Sequence, residues 1–218
     1  MFKALRTAGL VLLLPLIWAP PALSVAENLP APEKVVEDVF DQAVDAFMDN
    51  REAVGKDPRV AYELIDDILS PHVHFELMTR LILGRNARDA TDEQMQRFIS
   101  AFRENTIRTY SSMLSENVDT VVRVVEGSGK VVDISPAGEP DDRGRVTVRT
   151  LLHVQDNPIP VIYRMIATDD GWRVYDVVIE NISFVTNYRE EYGGAIRRDG
   201  MDQLISRLEE RNRQAWRE

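Results

Sequence analysis

Between Pro32 and Leu114 the apolar residues recur every third or fourth position, the period of a helix with one buried face. Pro32 opens the first such run, through Val36, Phe40, Ala43, Val44 and Phe47. Asp57-Pro58 starts a second, with Ala61, Leu64, Ile65 and Ile68 on its stripe, and Ser70-Pro71 a third, which stops at Gly84 after Leu81, Ile82 and Leu83. Thr91-Asp92-Glu93-Gln94 has the spacing of a capping box, and a long helix is expected beyond it through Met95, Phe98, Phe102, Tyr110 and Leu114.

From about Val118 the reading changes to a period of two. Val118–Val125, Lys130–Ile134, Arg145–Val154, Pro160–Thr168 and a segment opening at Gly171 read as five strands. Gly127-Ser128-Gly129 and Asp169-Asp170-Gly171 read as hairpin turns, and Pro136 to Gly144 as a polar loop. Arg145–Val154 alternates most cleanly, with Val146, Val148, Leu152 and Val154 on one side and Arg149 and His153 on the other. A closing helix is expected over Met201 to Gln214, with Leu204, Ile205 and Leu208 on its stripe. The sum is an α+β domain: helices to residue 117, an antiparallel sheet over 118–188, and a C-terminal helix over 199–214.

The segment GWRVYDVVIENISFVTNYR does not alternate along its length. Trp172, Val174, Val178, Ile182 and Phe184 share one parity, while Tyr175, Val177, Ile179 and Val185 share the other. Either a bulge near Tyr175 and Asp176 shifts the register, or both faces meet apolar material.

The first residues set the compartment. Lys3 and Arg6 precede an apolar run from Ala8 to Trp18, and small residues Ser24 and Ala26 occupy the positions of a cleavage site. Residues 1–26 are therefore expected to be a cleaved export signal, leaving 27–218 as one exported domain. That domain contains no cysteine, so burial alone must hold it. Losing Lys3 and Arg6 takes the formal charge from −10 to −12. Such a surface argues against nucleic acid and against simple attraction to anionic membrane.

Candidate chemistry is sparse. His72 and His74 are two apart and point in nearly opposite directions on a helix, so they cannot share a metal ion. Gly127-Ser128-Gly129-Lys130 lacks the upstream glycine and the following Ser/Thr of a phosphate-binding loop. The carboxylate pairs Asp66-Asp67, Asp141-Asp142 and Asp169-Asp170 fall on a helix, a loop and a turn tip, where solvation explains them. No catalytic or metal-binding residue is named.

Several stretches together resemble the MlaC family, the periplasmic phospholipid-binding proteins of the pathway that maintains outer-membrane lipid asymmetry. They are Leu83-Gly84 followed by ATDEQMQRFISAF, the helix end RTYSSML, the pair IPVIYRMIATDDGWRVYDVVIENISFVTNYR, and the tail GMDQLISRL. Asn181 stands where that family typically has glycine. The resemblance implies an NTF2-like architecture, with a curved antiparallel sheet, helices against it, and a deep apolar pocket for two acyl chains. It implies no enzyme and no cofactor, with phospholipid as bound cargo. It further implies a monomer that shuttles lipid between an inner-membrane lipid ABC transporter complex and an outer-membrane lipoprotein–porin complex. On this reading the lipid-binding candidates are Phe75, Met78, Leu81, Ile82, Phe102, Tyr110, Val122, Val124, Val148, Leu152, Val161, Tyr163, Met165, Trp172 and Val174. Two alternatives stand beside it: an NTF2-like enzyme using Asp176 or Tyr163 on an apolar substrate, and a periplasmic chaperone for other apolar cargo.

Overall fold

The computed structural model describes residues 29–127, 129–154 and 157–214. The proposed signal, residues 1–26, lies outside the described residues. The helical half begins with α1 (Pro32–Lys56), capped at its far end by Asp57, whose side chain accepts from the Arg59 N–H to start α2 (Pro58–Leu64). The same path continues through a π-helical turn (Ile65–Leu69) and a 3₁₀ turn (Ser70–His72). Next come α3 (Phe75–Leu83), the single turn α4 (Asn86–Asp89) and α5 (Asp92–Glu116). The capping box is present: Gln94 donates its N–H to the Thr91 hydroxyl and accepts from the Thr91 N–H.

Val118–Val125 is not a strand. It lies within α6 (Val118–Gly127), directly after α5. Its valines invite a strand reading because β-branched residues favour sheets. Yet Val118, Val121, Val122 and Val125 also obey helical spacing, and three of them find a partner: Val118, Val121 and Val122 pack on Phe47, Val54 and Ala61 of α1 and α2. Tertiary burial decides the ambiguity. Gly127 consequently ends a helix and turns no hairpin; Ser128 lies outside the described residues.

The sheet has five antiparallel strands in sequence order: β1 (Val132–Ile134), β2 (Arg145–Val154), β3 (Asn157–Thr168), β4 (Gly171–Ile179) and β5 (Ile182–Ser183). Two helices close the chain, α7 (Phe184–Asp199) and α8 (Met201–Gln214). The sheet therefore ends at Ser183, not at 188. Ser183 caps α7 by accepting from the Thr186 N–H, and the chain leaves the sheet there.

A bulge shifts the parity of the last strand, and its outer face is covered too, with Val178 buried there. Arg164 pairs with Asp176, but Met165 pairs with Val174, so Tyr175 is an extra residue in β4. Before the bulge Trp172 and Val174 point to the inner face; after it Val177 and Ile179 do. Asp176, which unbroken alternation would send inward, turns to the outer face. There it is buried, accepting from Arg164 Nη1 at 2.8 Å, the Ser183 hydroxyl at 2.8 Å and the Val185 N–H at 3.0 Å. One carboxylate thus joins β3, β5 and the start of α7. The β4–β5 turn places Glu180 and Asn181 at φ 49° and 68°. Asparagine is one of the few side chains that accept this left-handed geometry, so Asn181 fills the glycine's place.

Candidate functional site

Register assigns the inner face of the sheet row by row. Paired positions run Val132–Leu152–Ile159, then Ile134–Thr150–Val161–Ile179–Ile182, then Val148–Tyr163–Val177, then Val146–Met165–Val174, and finally Ala167–Trp172. Apart from Thr150 and the Tyr163 hydroxyl, every side chain in these rows is apolar. The two polar groups satisfy each other: the Thr150 hydroxyl donates to the Val161 carbonyl at 3.1 Å and hydrogen-bonds the Tyr163 phenol. Burial raises the Tyr163 pKa, so the phenol stays neutral and presents an apolar ring.

Cover over this face is uneven. At the Trp172 end α1 lies against it: Val36 packs with Val146, Val148, Met165 and Trp172, and the Trp172 indole N–H donates to the Pro30 carbonyl at 2.9 Å. Val148 and Met165 are 0 % and 1 % exposed. Toward the other end the cover thins, although Thr150 and Val161 stay buried at 4 % and 7 % exposure. Leu152, Ile159, Tyr163 and Val177 are only half-buried, Ile179 is 47 % exposed and Ile182 66 %. A cleft of about 460 Å³ runs alongside, between α1 and β1, floored by Phe40, Val44, Val132 and Ile134 and rimmed by Glu37, Asp41, Asp45 and Lys130.

Among the described residues the buried apolar side chains form three clusters in place of one core. The largest joins α3, α5, α7 and α8 through Met78, Ile82, Phe98, Phe102, Tyr192, Leu204 and Ile205. The second is the covered half of the inner sheet face, and the third lies between α1, α2 and α6. Close-packed domains usually merge such clusters into one. Here part of the apolar sheet face beside the second cluster is uncovered.

The sequence-derived candidates divide accordingly. Val148, Leu152, Val161, Tyr163, Met165, Trp172 and Val174 share the inner sheet face. Phe75, Met78, Leu81, Ile82 and Phe102 belong to or pack on the helical core. Tyr110 caps an aromatic column that runs through Phe184 (6.3 Å), Tyr188 and Phe102 and stands 41 % exposed at its end. Val122 and Val124 are half-buried on α6, Val122 against the α1–α2 cluster. Sequence reasoning missed Val177, Ile179 and Ile159, because only the bulge and the register bring them to this face.

Two of the three histidines have structural partners, while the buried His72 Nδ1 has no hydrogen-bond partner among the described residues. His74 Nδ1 accepts from the Leu77 N–H at 3.3 Å as the cap of α3. His153 Nε2 lies 2.8 Å from Asp133, and hydrogen bonds from His153 and Lys130 hold the Asp133 carboxyl below the usual range. Among the described residues no three His, Asp or Glu side chains group as a metal site, and no helix is long and apolar enough to cross a membrane.

The MlaC protein family model matches residues 37–210. The chain belongs to the MlaC family. It is 27 % identical over 192 residues to the toluene tolerance protein ttg2D of Pseudomonas putida, covering 87 % of this chain and 83 % of that one. It is 20 % identical over 191 residues to the intermembrane phospholipid transport system binding protein MlaC of Haemophilus influenzae, covering 86 % and 84 %. A solved phospholipid-binding protein from Ralstonia solanacearum, in complex with a phospholipid, superposes with a TM-score of 0.71 at 26 % identity. That match covers 85 % of this MlaC-family chain and 98 % of the Ralstonia protein.

Proposed function

We propose that this MlaC-family protein is an exported periplasmic phospholipid carrier, holding acyl chains over the part of the inner sheet face that no helix covers. The observation that carries the reading is the contrast along that face: solid packing around Val148 and Trp172, against half-burial of Leu152, Ile159, Tyr163 and Val177 and exposure of Ile179 and Ile182, with Thr150 and Val161 still buried among them. Leu152, Val161, Tyr163, Val174, Val177 and Ile179 form the sheet wall of the proposed site, with Tyr110, Val122 and Val124 as candidates on the helical side. Met78, Ile82 and Phe102 belong to the helical core.

Transfer energetics explain the architecture. Each methylene moved into water costs about 0.8 kcal/mol, so two chains of roughly 15 methylenes cost about 24 kcal/mol gross. A shallow groove cannot offset that, so the carrier must enclose the chains when loaded. Headgroup charge contributes little on a chain of formal charge −10, so specificity rests on shape and on the membrane complexes that deliver and accept the lipid. The carrier itself needs no nucleophile, metal or nucleotide. Asp176 lies on the outer face, where it is bonded to Arg164 and Ser183, and burial keeps the Tyr163 phenol neutral.

Lipid extraction tests the reading. Protein purified from the periplasm without detergent is extracted and its lipids identified by mass spectrometry. Phospholipid in near-stoichiometric amount is expected; an apolar cargo of another class, or none, overturns the proposal.

A further inference from the structure

Large apolar side chains left exposed among the described residues are Tyr110, Met113, Leu151, Ile179 and Ile182. Leu151 pairs with Asp133 and Pro160 on the outer face and stands apart. The other four converge. Ile179 and Ile182 pair across the two-residue turn Glu180-Asn181. Phe184, two residues on, meets the Tyr110 ring at 6.3 Å, and Met113 lies one helical turn beyond Tyr110 on α5. Together they make an apolar lip where the inner sheet face runs out to solvent.

Two observations narrow what this lip meets. Ile179 and Ile182 continue the row Ile134–Thr150–Val161, so the lip is continuous with the proposed lipid wall. An acyl chain could leave along that row without crossing water. The charge carried within the turn is Glu180, on a chain of net charge −10, which disfavours an anionic surface. The exposed aliphatic side chains at the hairpin tip offer a protein partner no fixed hydrogen-bonding pattern. A tyrosine 41 % exposed at the end of an apolar patch suits the interfacial level of a bilayer.

We propose that Tyr110, Met113, Ile179 and Ile182 form a contact surface for the interface of a neutral, zwitterionic bilayer, through which cargo enters and leaves. The contact is small and therefore transient. It rests on the carrier reading and adds a direct membrane encounter to it.

The test uses phosphatidylcholine vesicles carrying a fluorescent phospholipid and no protein. Lipid-loaded wild-type protein should acquire the label; Met113→Asp with Ile182→Asp should slow acquisition about tenfold. Including roughly a third phosphatidylglycerol should slow the wild type. Melting temperature and co-purified phospholipid report whether the variant is folded and loaded, and Met113→Gln with Ile182→Ser replaces it if aspartate lowers melting. Equal rates for folded wild type and variant overturn the proposal. So does a loaded wild type that takes nothing from vesicles, which would assign the lip to a protein partner. Absence of phospholipid from wild-type protein, by contrast, would overturn the carrier reading itself.

Discussion

Replacing one valine by tryptophan at two neighbouring positions separates packed core from lipid wall. Val148 and Val177 both flank Tyr163, in the same row of the inner face. Val148 is fully buried and packs in the cluster of Val36, Val146, Met165 and Trp172. A tryptophan there must displace protein, and overpacking of this kind costs about 1–3 kcal/mol. For a domain of this size each kcal/mol lowers the melting temperature by about 2–4 °C, so Val148→Trp should melt about 2–12 °C below wild type. Val177 is only half-buried. A tryptophan at that position extends over the uncovered area, where it displaces acyl chain and not protein. Val177→Trp should therefore melt within about 2 °C of wild type when both are delipidated, and should retain far less phospholipid. Scanning calorimetry and lipid phosphate analysis on the two variants make the comparison. Equal destabilisation with unchanged lipid would refute the reasoning, because it would put Val177 in the same packed core as Val148.

Asp176→Ala removes the acceptor shared by Arg164, Ser183 and Val185 and should cost about 3–5 kcal/mol by denaturant titration, with Asp176→Asn costing less. Arg97 binds Glu209 through two hydrogen bonds (3.0 and 2.9 Å) and lowers its pKa, joining α5 to α8. Because the folded pKa lies below the unfolded one, that stabilisation is present above the ordinary carboxylate range and is lost as pH falls through the folded value. Both side chains are partly exposed, so the effect is about 0.2–1 kcal/mol, and Glu209→Gln should flatten that part of the acid limb in a pH series of melting temperatures. Intact mass of protein recovered from the periplasm should correspond to a chain beginning at Glu27; retention of Met1–Ala26 on membrane-embedded protein would contradict the export assignment.

What the sequence discloses about this fold depends on how local the deciding interaction is. The capping box at Thr91, the turn at Asp169–Gly171 and the alternation of Arg145–Val154 are written in short stretches, and all three appear in the structure. Val118–Val125 satisfies both periods at once, and contacts with α1 and α2, more than 50 residues away in sequence, select the helix. The break at Ser183 is similar: ISFVTNY reads as a strand until Asp176 and the Ser183 cap direct it into α7. The site is the least legible part. Val177 and Ile179 face inward only because Tyr175 is an extra residue, which the broken parity signals but cannot by itself distinguish from a strand buried on both sides. Which apolar residues are solid core and which line a wall depends on missing neighbours, and a linear pattern does not record those.

Photo-crosslinking tests the central claim most directly. A phospholipid with a diazirine near the middle of one acyl chain is loaded into the protein and activated, and the adducts are mapped by peptide mass spectrometry. The account predicts adducts on the inner face of β2–β4, around Leu152, Val161, Tyr163, Val177 and Ile179, with none on Phe98, Ile205 or Leu208 of the helical core. Adducts concentrated in that core, or on the outer residues Arg149 and Ile166, would contradict it.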